Sequence, residues 1–429
     1  MTELNGLDAT RLGEMLAAGE ISAQDILDAS LSRIDAREDS VRAWTWRSPT
    51  PDQTAAGQSA PQAPLRGIPV GVKDIMQTRD MPTGWGTRYL SAETSPCDAA
   101  AVALLRRAGA VLLGKTVSTE LAGFTPGKTR NPHDLSRTPG GSSSGSAAAV
   151  ADGMVPVALG TQTAGSIIRP ASYCGVVGFK PSFGTVPMAG IKAFSPSLDT
   201  AGWFTRSVRD SRRVFGAMTA SSLPVAAPPT LSQLRIGLAV VPVAGLEAST
   251  RQALDATGAA LSQAGAQVME TPLPEGFDEL AALHKRIMAY EAARALADEY
   301  DRHHASIGPK VLEVLDEGWT IGYVDYRRDQ KEAARLNDAL ASCWQQLDVI
   351  ITPSATGEAP IGHEATGDPI YSRAWTLPGL PAISLPLAKG PAGMPIGMQL
   401  IAPWGRDLEL LDMAEAVMQS LQISVPLPA

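Results

Sequence analysis

The run Pro139-Gly-Gly-Ser-Ser-Ser-Gly-Ser-Ala-Ala-Ala constrains the fold more than any other part of this chain. A linker of that composition would stay flexible, yet this one passes straight into an Ala-rich helix expected over 144–151 and an apolar strand over 155–160. The same alternation continues on either side. Helical spacing marks two amphipathic helices within 7–37, with Ser22 as N-cap of the second, and a short buried strand is expected over 67–74. Residues 48–65 read as a loop, Asp98 is placed to cap a helix ending at Arg107, and an apolar strand over 110–113 runs into Gly114-Lys-Thr. Beyond a Pro-rich link at 223–229, a strand over 234–240 and a helix over 246–264 precede a mostly helical stretch, 275–347, before strand character returns at 349–352. Alternating strands and helices predict an α/β fold.

A length of 429 residues admits two or three domains at about 150 residues each. Because strands resume after the helical stretch, it is read as a cap on one domain spanning 1–429: N-terminal helices over 1–60, a core over 61–220, a variable, largely helical region over 221–348, and a return to the core over 349–429. Hydrophobic residues at 44% and charged residues at 19% are ordinary globular proportions. The net charge of −8, with no block of like charges, offers no basic stripe to a phosphate backbone, so nucleic acid is not an expected partner. No apolar window approaches the roughly 18 residues of a membrane span, and the N-terminus lacks a signal-peptide pattern; a cytoplasmic protein without a membrane partner is expected. Cys97, Cys174 and Cys343 lie too far apart to suggest a disulfide framework, and the five histidines show no metal-ligand spacing. Neither a metal nor a cofactor is expected.

Gly141-Ser-Ser-Ser-Gly145 fits the G-x-S-x-G pattern of a nucleophile elbow, but the polar, Pro-broken segment before it lacks the strand an elbow needs. It also lacks the lysine of a phosphate-cradling loop. With no histidine set off by context, a serine nucleophile needs another base, and lysine is the usual alternative. No lysine follows a serine by three positions, so a Ser–Lys pair would have to join distant segments. Lys73 ends the apolar run 68–72, where burial would lower its pKa. Moving a lysine from about 10.4 to about 7 costs roughly 4.6 kcal/mol, which burial can supply. A structural lysine paired with a carboxylate fits the same pattern. Ser166 closes the small-residue run Thr163-Ala-Gly-Ser after a strand, where successive N–H groups can converge on an oxyanion; a tight packing turn has the same composition.

Taken together, Gly-Val-Lys73-Asp, the Pro139 to Ala149 run and Gly160-Thr-Gln-Thr-Ala-Gly-Ser-Ile-Ile-Arg-Pro-Ala-Ser-Tyr-Cys-Gly closely resemble the amidase signature family. The resemblance extends through Ser197-Leu-Asp-Thr-Ala-Gly, Gly379-Leu-Pro-Ala-Ile-Ser and Pro395-Ile-Gly-Met-Gln, and is weak over about 220–348. It implies a mixed twisted sheet flanked by helices on both sides and a Ser–cis-Ser–Lys triad: Ser166 as nucleophile, Ser142 as the bridging serine with a cis peptide, and Lys73 as base. Ser143 is expected to assist this network, and the backbone N–H groups of Thr163, Ala164, Gly165 and Ser166 to form the oxyanion hole. Many relatives carry an acidic residue and two glycines before the nucleophile, where this chain has Gln162, Ala164 and Gly165; Ala164 would tolerate a positive φ less well than glycine. Arg169 resembles the arginine that holds a substrate carboxylate in small-acid amidases, its alternative being an internal salt bridge, and Gln162 is a second candidate for substrate contact.

The implied activity is cofactor-free hydrolysis of the C–N bond of a small amide, with carbamates and esters as further candidates. The aromatic stretch Trp319 to Tyr326 is a candidate pocket lining, with helix packing as the alternative. The expected partners are the small-molecule substrate and, for assembly, a second copy of the chain. A glutaminase subunit of a tRNA-dependent amidotransferase is the alternative, which Gln162 and the short chain argue against; a scaffold that has lost catalysis is a third reading, opposed by the filled triad positions.

Overall fold

The computed structural model describes residues 4–54, 57, 59–60, 63–221 and 228–428. Eleven strands form one mixed sheet: β1 (Trp44–Arg47), β2 (Pro69–Lys73), β3 (Val111–Thr116), β4 (Val157–Gln162), β5 (Val177–Lys180), β6 (Thr200–Thr205), β7 (Arg235–Leu238), β8 (Gln267–Glu270), β9 (Val349–Pro353), β10 (Ala382–Lys389) and β11 (Pro395–Ile401). Their spatial order is β1-β3-β2-β4-β6-β5-β10-β11-β9-β7-β8. β3, β2 and β4 run parallel, as do β9, β7 and β8, with antiparallel pairs between these groups. β2, β3 and β4 are buried along their whole length, which is why they read as continuous rather than alternating apolar runs.

The helix Ser144–Ala151 begins where expected, and all its residues are buried. A Cβ at Gly145 would stand 2.2 Å from Ala43 O and 2.3 Å from Val117 N. Only glycine lets this helix meet the strand ends so closely, which gives the small-residue run its structural reason. The two N-terminal helices, Ala9–Ala17 and Ala23–Val41, form as expected, the second through a capping box between Ser22 and Asp25.

Several boundaries differ from expectation. Asp98 does not cap the helix Ala100–Arg107; its carboxylate accepts from Arg106 Nε at 3.0 Å and from Arg79 N at 2.9 Å. The Gly114-Lys-Thr segment belongs to β3 itself, held in the ladder between β1 and β2. β8 carries no apolar pattern because it is a largely exposed edge strand, registered only against β7. Parts of the expected 48–65 loop and 223–229 link lie outside the described residues.

Helices Glu279–Ala295, Ala297–His303, Pro309–Thr320 and Tyr323–Ala339 fill most of the stretch after β8. Their apolar faces, including Leu280, Ile287, Val311 and Leu336, share a core with Leu121, Ala164, Ile168 and Trp375. That core joins the helical region to the loop after β4. Among the described residues no helix is long and apolar enough to cross a membrane.

Candidate active site

Lys73 is the last residue of β2, Thr161 and Gln162 end β4, and the strands are parallel, so all three lie at one carboxyl edge of the sheet. Crevices at such edges are the usual ligand sites of α/β sheets. Lys73 is fully buried, and its Nζ lies 2.7 Å from Ser142 Oγ and 2.8 Å from Thr161 Oγ1. Burial brings its pKa down to about 7, against the pull of the Asp199 carboxylate. An appreciable fraction is therefore uncharged at neutral pH and able to accept a proton.

The Gly141–Ser142 peptide is cis. Both of its flanks are tied: Arg169 Nη2 donates to Gly141 O at 2.5 Å, and Thr119 N donates to Ser142 O at 3.1 Å. Ser143 faces Thr161, with its Oγ 3.2 Å from Thr161 O and 3.3 Å from Thr161 N, so it braces the residue that holds Lys73.

Ser166 stands at 8% exposure, and its hydroxyl makes no hydrogen bond among the described residues, including none to Ser142. Its loop is tightly built. Gln162 Oε1 accepts from Ile167 N at 2.9 Å and Ile168 N at 3.0 Å, while its Nε2 donates to Thr376 Oγ1 at 2.9 Å. Gln162 thus closes the loop, with both polar ends of its side chain engaged internally. Ala164 does not adopt a positive φ, so the departure from glycine there carries no backbone penalty. Gly165 is needed for space: a Cβ would meet Pro369 Cβ at 2.8 Å and Ser372 Cβ at 3.0 Å. Among the described residues, the N–H groups of Thr163, Ala164, Gly165 and Ser166 have no acceptor. Backbone N–H groups left in this state within a buried loop are rare, and four in succession suit an incoming anion.

Arg169 is fully surrounded, and it forms no salt bridge among the described residues, so the internal ion pair is not what holds it. Besides Gly141 O it donates to Thr366 Oγ1 at 3.1 Å, and its Nε and Nη1 have no partner among the described residues. Burial lowers its pKa to about 10, which leaves it charged at neutral pH. Trp319 and Tyr323 are 43% and 65% exposed, while Tyr326 stacks on Tyr290 and donates to Glu291 at 2.7 Å. These contacts fit helix packing rather than a pocket wall.

Four further residues shape the site, Thr161 and Asp199 from within the quoted motifs and His284 and Thr376 from outside them. Thr161 is the second partner of Lys73. Asp199 accepts from Thr163 Oγ1, Phe194 N and Ser195 N, and burial raises its pKa to about 6. His284 and Thr376 hold the carbonyls of Thr163 and Ala164 at 2.8 and 2.9 Å.

The family model described as Amidase matches residues 25–411, and the chain belongs to that family. A glutamyl-tRNA(Gln) amidotransferase subunit of Symbiobacterium thermophilum is 34% identical, the match covering 96% of each chain. Among solved structures, peptide amidase from Stenotrophomonas maltophilia superposes with a TM-score of 0.83 at 30% identity over 98% of both chains. 6-Aminohexanoate cyclic dimer hydrolase gives 0.87 at 26% identity, covering 100% of this chain and 99% of the other.

Proposed function

We propose that this chain hydrolyses the C–N bond of a carboxamide through an acyl-enzyme on Ser166. The observation that carries the reading is the 2.7 Å approach of a fully buried Lys73 Nζ to Ser142 Oγ. Neutral Lys73 takes the Ser142 proton as Ser142 takes that of Ser166, and Ser166 Oγ attacks the carbonyl. Charge on the carbonyl oxygen meets the free N–H groups of 163–166. The relay then reverses to protonate the leaving nitrogen, and water releases the acid. Ser166 must turn onto Ser142 as substrate enters, since catalytic hydrogen bonds often tighten only in the Michaelis complex.

Two substrate readings follow. The curated relatives favour glutamine, with ammonia passed to a companion protein; the match covers 96% of the relative's length, so a short chain no longer argues against this. The free-standing reading, a small amide, carbamate or ester, draws on structural likeness to a peptide amidase and a cyclic-dimer hydrolase. In either case the helices over 279–344 act as the cap over the site.

The test is a panel of glutamine, small amides, carbamates and 4-nitrophenyl esters, assayed with the chain alone and with proteins that co-purify from its native host. Glutamine turnover that rises with a companion supports the first reading; turnover of another substrate by the chain alone supports the second. An acyl adduct should appear by intact mass and vanish in Ser166→Ala. Full activity in that variant overturns the assignment.

A further inference from the structure

Apart from Gly141–Ser142, the described peptides are trans, and in a trans peptide the C=O and the following N–H point in opposite directions. Anchoring a carbonyl therefore aims the next N–H. Three separate donor groups reach the three carbonyls before Ser166, the Thr376 hydroxyl dividing its one proton between Ala164 O and Ser372 O. His284 Nε2 lies 2.8 Å from Thr163 O, Thr376 Oγ1 2.9 Å from Ala164 O, and Arg169 N 3.0 Å from Gly165 O. The N–H groups they aim belong to Ala164, Gly165 and Ser166, three of the four without an acceptor among the described residues.

Of these donors, His284 lies farthest in sequence from the motifs that carry the family resemblance. It sits fully buried on the helix Glu279–Ala295, within the region where the sequence resemblance is weakest. Its Nδ1 lies 2.9 Å from Arg373 Nη1. A guanidinium can only donate and a backbone carbonyl can only accept, so one neutral tautomer satisfies both contacts: Nδ1 accepts and Nε2–H donates. Burial and the Arg373 charge both push the imidazole well away from protonation. With both nitrogens engaged, His284 is a fixed neutral donor and not a base.

We propose that His284 is a positioning residue of the oxyanion hole: clamped by Arg373, it sets the Thr163–Ala164 peptide so that the Ala164 N–H faces the developing charge. The assignment rests on the acyl-enzyme reading of Ser166. It also ties the helical cap to the nucleophile loop, since His284 on the helix Glu279–Ala295 bridges Arg373 of the returning core and Thr163. Thr163 is fixed from the other side as well, through Oγ1 to Asp199.

The test compares His284→Gln, His284→Asn and His284→Leu with 4-nitrophenyl acetate as probe, reading the acylation burst, kcat and KM, each variant checked by thermal melting. The Gln amide N–H can take the place of Nε2–H on Thr163 O, whereas Asn is too short to reach it. Loss of a full oxyanion donor costs about 100- to 1000-fold, so misaiming one should lower the acylation rate about 10- to 100-fold in Asn and Leu, with KM within about twofold. Gln should recover to within about threefold of the parent. Should Leu fail to fold, the Gln–Asn comparison at matched melting temperature carries the test. Acylation unchanged in Asn and Leu, or Gln no faster than Asn, overturns the inference. Ser166→Ala, run alongside, separates the two levels: if it abolishes the burst, a failure at His284 is confined to this inference, and if it retains the burst, both readings fall.

Discussion

Lys73 and Lys115 stand on neighbouring parallel strands, one residue apart in register, both fully buried and held in opposite ways. Lys115 Nζ donates to Met76 O at 2.5 Å and Thr83 Oγ1 at 2.7 Å and lies 3.8 Å from Asp74 Oδ1. Burial lowers its pKa to about 8, with Asp74 the first of three carboxylates opposing the drop. Lys73 has two hydroxyls as its hydrogen-bond partners among the described residues, and no carboxylate lies within ion-pair distance of it there, Asp199 acting on it only from farther away. Lys115 is thus the structural lysine next to a carboxylate, and Lys73 is the one left free to exchange a proton.

The pH dependence follows from this. The proposed relay needs neutral Lys73, whose pKa burial has lowered to about 7, so kcat/KM should rise with pH through about 7 and level off above it. Below that point it should fall about tenfold per pH unit. A profile rising only near the ordinary lysine value would remove Lys73 as the base.

Stability gives an independent reading of the same residue. Folded Lys73 loses its proton near 7 but unfolded Lys73 near 10.5, so the unfolded chain binds more protons between those values and stability climbs with pH across them. Below about 7 the burial penalty is fully present, on the order of 5 kcal/mol, offset in part by two hydrogen bonds at about 1 kcal/mol each. Lys73→Met should therefore unfold at higher urea than the parent at pH 6, by about 3 kcal/mol, while losing turnover. The gain should shrink as pH rises from 7 towards 10.5. A variant less stable than the parent at pH 6 would contradict the buried-cation account.

The sequence made the ends of this site legible and hid its bracing. Lys73, Ser142 and Ser166 stand in contiguous motifs whose apolar runs and small residues have local physical causes, and the tight seat of Gly145 shows why the Gly/Ser run reads so clearly. His284 reaches Thr163 across 121 positions and Thr376 reaches Ala164 across 212. Contacts of that range are set by packing, and neither residue stands in a pattern that differs from ordinary helix. Asp98 fails as a predicted cap because its carboxylate is taken up by Arg79 N, 19 positions earlier, and by Arg106 Nε at the far end of the same helix. The exposed edge strand β8 has no period to read.

Arg169 is the test of substrate charge. Its Nη2 ties Gly141 O and Thr366, while Nε and Nη1 remain without a partner among the described residues. If those atoms take a substrate carboxylate, Arg169→Met should raise KM for acidic amides at least tenfold more than for neutral ones, since a charge-assisted pair is worth roughly 1.5–3 kcal/mol. Equal losses of kcat on both classes would assign it to holding Gly141 alone.

Thr161 tests how the lysine is tuned. Its hydroxyl lies 2.8 Å from Lys73 Nζ, and its backbone is braced by Ser143. Hydrogen bonds to an ammonium favour the charged form, so Thr161→Val, which keeps the shape and removes the acceptor, should lower the Lys73 pKa further. The acid limb of the kcat/KM profile should then move to lower pH by about half a unit to one unit, an acceptor bond of about 1 kcal/mol being comparable to about 1.36 kcal/mol per tenfold change in acidity. The plateau rate should fall as well, because Lys73 loses one of the two groups that aim it at Ser142. A limb that stays in place while the plateau falls would make Thr161 a packing residue, and a limb that moves to higher pH would mean that Thr161 opposes the protonated lysine instead of stabilising it.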